Sequence, residues 1–551
     1  MPSYRIRNLL CPLNHDLAWL QARVASLLNL PVADVSQPAR LRIERRSVDA
    51  RRKQDIHFVY NLQLSLDRPL AQLPTDVEVL PNLRPYHFQD VAMEGTSMRG
   101  TEPILYSADR LGPSPLIIGS GPAGLFCALM LAQAGLQPLV VERGDTVDDR
   151  AAAIDAFWNG GPLDPESNIQ FGEGGAGTWS DGKLTTSLHD ESGRNSLVLE
   201  MLVAAGAPGE ILYTNKPHIG TDRLRGVVKQ LRQRIERLGG RVRFRTKVTE
   251  LLIQHGAVVG VVVNGCERIE TNTVVLAIGH SARDSFEHLA AQGLPMAPKA
   301  FAIGLRVEHR QELIARNQYG KSWRHPALPV ADYKLAWQAP DGRGVYSFCM
   351  CPGGVVVNAS SEPGMTVCNG MSDFARNGRN ANSAIVVTVR PEDFTQPGML
   401  GGMMYQRHWE RLSWTAAGGS AALPVQSLGR FIRAVPGLEQ AGVLPTATSG
   451  YAGADLASCL PAFVASDIRR AFGHFGRRIT GFDSPEAILT GVETRTSSPV
   501  RILRDASLQS SIRGLYPCGE GAGYAGGIMS AAIDGIRVAE AVYRHSRSGQ
   551  R

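Results

Sequence analysis

Apolar and polar residues alternate over residues 4–10, which predicts a strand, and Leu17, Leu20, Val24 and Leu27 then recur at helical spacing behind Asn14, the expected cap. Alternation returns over 40–48 and 56–66, so residues 1–70 read as a βαββ unit. Residues 71–110 show no periodicity and read as a linker. From Pro115 the pattern becomes strand, glycine loop, helix, strand, the mark of a parallel α/β sheet. Strands at 344–351, 355–359 and 384–389 and a helix near 462–475 make residues 301–480 a mixed block that interrupts the α/β layer, expected to resume over 481–551.

The segment PLIIGSGPAGLFCALMLAQAGLQPLVVERG gives these elements a chemical meaning. Gly119, Gly121 and Gly124 follow a buried strand at G-x-G-x-x-G spacing and open a helix, and a second strand ends in Glu142. Gly119 makes the tight turn, Gly121 lets backbone approach a pyrophosphate, and Gly124 lets helix and strand pack closely. The helix N-terminus, with Ser120, Pro122 and Ala123 around it, favours phosphate charge, and Glu142 is placed to accept from ribose hydroxyls.

A second glycine cluster, LYPCGEGAGYAGGIMSAAIDG, lies far downstream. A strand closes at Gly519 and Glu520, and Gly526, Gly527 and Ile528 open a helix expected to return against the first. NAD has no use for this second helix terminus, whereas the ribityl chain and ring of FAD do: Glu520 suits ribityl hydroxyls and the helix dipole suits charge at the reduced ring. Between the two lies FGEGGAGTWSDGKLTT, in which Gly174, Gly175, Gly177 and Thr178 offer backbone to phosphate or flavin and Ser180, Asp181 and Lys183 face the ring or a substrate.

GSGPAG with VVERG, RVRFRTKV, TVVLAIGHSARD and the terminal glycine cluster together resemble the glutathione-reductase-type FAD-binding superfamily. NIQFGEGGAGTWSDGKLTT and GVETRTSSPVRI are similar to a family of bacterial FAD-dependent proteins known as NAD(FAD)-utilising dehydrogenases. The resemblance implies an α/β fold: a Rossmann-like FAD-binding domain (111–300 and 481–551), an inserted α+β cap or substrate domain (301–480) and the N-terminal βαββ unit as a ferredoxin-like half. It implies that Gly119, Gly121 and Gly124 face the pyrophosphate, Glu142 the adenosine ribose, Val248 the adenine through its backbone, and Gly519 and Glu520 the ribityl. Arg143, Ala277 and Gly279 complete the expected cofactor contacts. The implied activity is a FAD-dependent oxidoreductase passing a hydride or two electrons between an unidentified substrate and flavin N5. Alternatives are an RNA-modifying flavoenzyme and a non-catalytic FAD-binding protein. A second G-x-G-x-x-G after a strand is absent from the sequence, so NAD(P)H has no dedicated domain.

Candidate catalytic residues are Lys183, His280 at a strand end, and Arg495 in ETRTSSP, which suits a carboxylate or phosphate or serves as a satisfied structural arginine. Ser281 and Asp284 have capping-box spacing and predict a helix start. Cys349 and Cys351 fall on one side of a strand and read as two small buried residues rather than a redox pair, because a C-x-C bridge is strained. No metal site is expected. Arg42, Arg45, Arg46, Arg51, Arg52 and Lys53 form a basic stretch that suits RNA, but with no aromatic pattern beside it a solvated turn or a patch docked on the chain's own acidic surface is the better reading. The net charge of +7 on 551 residues adds little to that. No apolar run reaches the roughly 18–20 residues of a membrane span, the N-terminus has no apolar signal core, and eight scattered cysteines fit a reduced cytoplasm.

Overall fold

The computed structural model describes residues 2–80, 114–188, 190–439 and 442–548. The N-terminal strands Ser3–Pro12, Leu41–Asp49 and His57–Ser65 form an antiparallel sheet with a fourth, Val77–Leu80, which pairs with Ser3–Ile6. The expected linker therefore begins with a strand; its remainder from 81 lies outside the described residues. The helix Leu17–Leu28 lays Leu20, Val24, Ala25 and Leu28 on this sheet. Its cap is Asp16, whose carboxylate accepts from Trp19 N at 2.7 Å. Asn14, expected in that role, accepts from His325 Nε2, and Leu17 is exposed.

Strands Leu515–Pro517, Val274–Leu276, Leu116–Ile118, Leu139–Val141 and Arg241–Arg243 form, in that order, a fully parallel sheet. The first four are short and buried on both faces because helices cover one side and a three-stranded antiparallel sheet (Val248–Gln254, Ala257–Val263, Glu267–Glu270) lies over the other, while the edge strand Arg241–Arg243 is partly exposed. The segment RVRFRTKV supplies two of these strands, interrupted at Arg245, whose φ of 49° turns the chain from one sheet to the other. The fingerprint helix Pro122–Gln133 crosses the C-terminal helix Ile528–Ser548 so closely that a Cβ on Gly535 would sit 2.2 Å from the Ala123 carbonyl oxygen.

A seven-stranded sheet is built on Phe301–Arg310 and Asn380–Val389, flanked by Gly344–Cys351 on one side and Ile488–Glu493 on the other. The last strand corrects the expected return at 481: it pairs with Phe301–Arg310 and Leu423–Ser427, and the chain re-enters the parallel sheet only at Leu515. A short apolar run fits either sheet, and only the partner register separates them. The helix Ala462–Gly476 buries Ile468, Phe472 and Phe475 against this sheet. Where the layers meet, Arg283 at the start of the helix Arg283–Ala291 reaches Glu410 on Gly401–Ala416 at 2.7 and 2.9 Å. Among the described residues no helix is long and apolar enough to cross a membrane.

Candidate functional site

A cleft of about 380 Å³ runs between the carboxyl ends of the parallel strands and the seven-stranded sheet. Gly119 turns the chain at φ 102°, and a Cβ there would stand 2.4 Å from the Ala277 carbonyl oxygen. Gly124 holds helix to strand: its Cβ would meet Gly119 O at 1.9 Å, so it packs behind the cleft and does not face it. Gly121 does line the cleft, as do Pro122 and Ala123, and the nearest atom to a Cβ on Gly121 is Gly175 Cα at 3.9 Å. Gly279, Gly526 and Gly527 also line it, and a Cβ on any of them would find nothing within 4 Å among the described residues. The cleft thus has helix N-termini at Pro122 and Ile528 and open glycine backbone beside both. That is a cradle matched to an elongated ligand with phosphates at one end.

Arg143, Gly175, Gly177, Ser180, Lys183, Val248, Ala277, His280 and Glu520 of the expected set line this cleft, together with Asp181. Ser120, Gly174, Thr178 and Gly519 lie behind it. Gly519 is required by packing, since its Cβ would press on the Ala123 side chain at 2.6 Å, and its N–H donates to Asp534. Gly174 faces Thr178 and Val228.

Glu142 is present but engaged. One oxygen accepts from Ser120 N and Oγ (2.9 and 2.8 Å), the other from Gly144 N and Gly172 N (3.0 Å each). A carboxylate has about four lone-pair sites, so no acceptor capacity is left for a ribose. In this structure Glu142 ties the fingerprint loop to the glycine-rich loop instead. That loop is also pinned by Arg150, which the sequence reading missed. Its guanidinium, wholly buried over Trp179, donates to the carbonyls of Asn168, Ile169, Gly172 and Glu173. Burial, opposed by the charges of Glu142 and Glu173, pulls its pKa down to about 9. A lone arginine in a helix carries no local sign of such a role.

The three catalytic candidates have different surroundings. Lys183 donates to the Met350 carbonyl and lies 3.2 Å from Asp181, which also holds Ser372 and Arg376. Burial opposes the Lys183 charge, but Cys351, Asp181 and Cys349 outweigh it and raise the pKa. Arg495 follows the structural alternative: Glu410 takes its Nε and Nη2 at 3.0 and 2.7 Å, and Ser361 takes Nη1. It lines the cleft with its charge already answered. His280 is different, with Nδ1 3.4 Å from Glu520 while its buried Nε2 meets no partner among the described residues. The capping box does not form: Ser281 donates to Gln170, and Asp284 pairs with Arg143, which lies over Phe171.

From the seven-stranded sheet Phe348, Cys349 and Glu493 complete the walls, with Asn369 from the two-stranded sheet of Val355–Asn358 and Cys368–Met371. Cys349 was read as buried structure; it lines the cleft from a bulge, where Phe348 faces Ala384 but Cys351 faces Asn382, at φ 44°. The basic stretch turns inward in part: Arg46 N donates to Tyr213 O, its guanidinium lies 3.3 Å from Glu210 and over the Tyr213 ring, and Arg45 donates to Asn215. Arg51 is held by Asp49.

Family models match four stretches: a pyridine nucleotide-disulphide oxidoreductase (114–285), a FAD dependent oxidoreductase (204–378), a FAD-dependent protein C-terminal domain-like region (300–496) and a domain of unknown function (3–65). Among solved structures, flavin-dependent brominase Bmp2 (14% identical, 79% of each chain, TM-score 0.35) and CtdE in complex with FAD (14%, 77% of this chain and 82% of that one, TM-score 0.29) are similar, at levels on which no argument rests. An uncharacterized protein of Clostridium beijerinckii is 47% identical over 540 residues, 98% of both chains. With FAD as its cofactor and these oxidoreductase domains along it, the chain belongs to the same family of FAD-dependent proteins as the Clostridium beijerinckii protein.

Proposed function

We propose that the protein is an oxidoreductase that binds FAD along this cleft, with the phosphates at Gly121–Ala123 and the ring near Ser180–Lys183, His280 and Gly526–Ile528. The observation that carries the reading is one continuous cleft onto which both glycine-lined helix termini open and whose far wall takes Phe348, Cys349 and Glu493 from the seven-stranded sheet. Bound there, FAD supplies a two-electron acceptor and donor. The chain's own residues do the rest. The helix terminus at Pro122 receives phosphate charge, Glu520 offers acceptor oxygens to the ribityl hydroxyls, and the seven-stranded sheet keeps water from the ring. His280, oriented by Glu520, gives or takes a proton at Nε2.

The narrower resemblance to NAD(FAD)-utilising dehydrogenases joins this proposal with a restriction. The one fingerprint is committed to FAD, and Lys183 and Arg495 are held by Asp181 and Glu410 rather than left for a nicotinamide phosphate. Physiological reduction then comes from the organic substrate, or from a nicotinamide admitted with it. RNA modification is the weaker reading because Arg45 and Arg46 face Asn215 and Glu210. The test is to identify the released flavin by chromatography and then mix the protein anaerobically with NADH or NADPH. FAD, and flavin bleaching that is slow without a further substrate, are the expected results. Rapid saturable bleaching by micromolar nicotinamide, or colourless protein that takes up no FAD, refutes the reading.

A further inference from the structure

One thiol lines the cleft with a second directly behind it, and the fold distorts a strand at this point. In a regular strand, residues two apart point the same way but stand too far apart for a disulfide, which needs Cβ atoms roughly 3.5–4.5 Å from each other. The Gly344–Cys351 strand departs from regularity at this point. It carries one extra residue between Phe348 and Cys351 relative to Ala384–Asn382, and Cys349 takes φ 44°, a conformation that side chains with a Cβ rarely adopt. The result is that Cys351 Sγ turns back onto Cys349, lying 3.3 Å from its carbonyl oxygen. Two cations fasten the bulge: Arg306 donates to Cys349 O at 3.1 Å and Lys183 donates to Met350 O. Cys349 shares its cleft with His280, Glu520 and Gly526, whereas Cys351 is fully buried behind it.

We propose that Cys349 and Cys351 are a redox-active dithiol that exchanges two electrons with the flavin, with Cys349 as the thiol that faces the ring and Cys351 as its partner. The proposal rests on FAD occupying the cleft as argued above. In the oxidative direction the Cys349 thiolate and the Cys351 thiol join as a disulfide, and the two electrons and one proton they release pass to oxidised FAD, giving the anion FADH⁻. The reverse step takes two electrons and a proton from FADH⁻ and restores thiolate and thiol.

The charges around the pair suit this division of labour. The neighbouring Cys351 thiol lowers the Cys349 pKa; burial opposes it, and Lys183 and Arg306 reinforce it. Its neighbour Cys349 and burial raise Cys351, so the member that lines the cleft is the easier of the two to ionise. Asp181 and Glu493 are the carboxylates near the pair and Tyr333 is its phenolic neighbour, while Arg376 and Arg306 pair with the two carboxylates. Cys127, Cys368 and Cys459 contrast with it, since burial alone dominates there and pushes each thiol up.

The test uses the full-length holoprotein, oxidised with ferricyanide, desalted and titrated anaerobically with dithionite while the flavin band is followed. Four electrons per bound FAD are expected, falling to two in Cys349→Ser and in Cys351→Ser. Independently, mass spectrometry of an unreduced digest of the oxidised wild type should contain the 349–351 disulfide, which decides the matter even if the serine variants fold poorly. A wild-type titration that ends at two electrons, with both thiols still free in the digest, overturns the proposal. Protein stripped of flavin separates the two levels of argument. At pH 6.5, where an ordinary thiol is only about 1% ionised, iodoacetamide should label Cys349 at least tenfold faster than the exposed Cys266, and oxidised glutathione should close the disulfide. Failure of the flavin to bind while these thiol reactions proceed sinks the cleft assignment and leaves the thiol pair standing. Failure of the thiol reactions in protein that binds FAD sinks the pair and leaves the cleft.

Discussion

Glu142→Gln tests whether Glu142 holds the loops together, as its contacts indicate, or awaits a ribose. The four donors to its carboxylate come from three places in the chain: Ser120 N and Oγ, Gly144 N and Gly172 N. Glutamine has one acceptor oxygen and one NH₂. If the oxygen serves Gly144 and Gly172, the NH₂ faces Ser120, whose hydroxyl can rotate to accept but whose backbone N–H is orphaned at a cost of about 1–3 kcal/mol. The opposite flip orphans two backbone N–H groups and is worse. The two bonds that survive lose charge assistance, about 1 kcal/mol each, the difference between hydrogen bonds to charged and neutral acceptors. The sum is about 3–5 kcal/mol, felt in the flavin-free protein. Thermal unfolding of stripped protein, with limited proteolysis to locate the weakened loop, measures it, and a lower melting temperature with faster cleavage near Gly172 is expected. The reasoning is refuted if flavin-free Glu142→Gln matches the wild type while FAD affinity alone collapses, because that pattern belongs to a ribose ligand. Glutamine discriminates better than alanine, since alanine leaves room for a water to rescue the donors.

Arg150→Lys replaces a planar fork that reaches four carbonyls with a single point donor, and should loosen the glycine-rich loop and weaken FAD about tenfold, about 1.4 kcal/mol, by calorimetric titration. Burial works against the Glu410 carboxylate, but Arg283 and Arg495 outweigh it and hold its pKa below the ordinary carboxylate range. Its stabilisation is therefore complete above the unfolded value of about 4.3 and is lost as the pH falls through the lower folded one. Acid unfolding of the wild type by tryptophan fluorescence should show this, and Glu410→Gln should cost about 3–5 kcal/mol at pH 7 by leaving two buried arginines short of a partner. Arg46→Glu turns an ion pair with Glu210 into a repulsion, with an expected loss of about 1 kcal/mol for a half-exposed pair, measured by denaturation of the full chain. Wild-type protein should retain little RNA at physiological salt in a filter-binding assay, and a submicromolar salt-dependent complex would contradict the inward role of Arg45 and Arg46.

How much of this was legible before the structure depended on how local each cause is. The need for glycine at 124 is a contact across five residues, between a turn and the helix it opens, so spacing alone exposes it, whereas the Ala277 carbonyl that also excludes a Cβ at Gly119 is not a neighbour in sequence. The acceptor capacity of Glu142 is consumed partly by Gly172, thirty residues on, and the pattern VVERG has no means of announcing that. Asp16 and Asn14 are both good caps, and only the start of the helix and the approach of His325 decide between them. The C-x-C pair looked inert because regular strand geometry keeps such thiols apart. The extra residue that changes this is defined against Ala384–Asn382, a strand more than thirty residues away.

The amino-acid sequence by itself determined the elements whose causes lie within a few residues: period-two strands, the two glycine-opened helices, and FAD as the ligand that needs both. Tertiary structure alone decided the strand pairings, placing Ile488–Glu493 in the seven-stranded sheet and Val77–Leu80 in the N-terminal one. It also decided which charges are already answered, as with Glu142, Lys183 and Arg495, and which groups stay available, as with His280 Nε2 and Cys349. The physical reason is one of range. Backbone conformation is chosen by neighbours along the chain, whereas hydrogen-bond saturation and charge pairing in a buried site are set by whatever groups folding brings within about 3 Å, and those come from anywhere in the sequence.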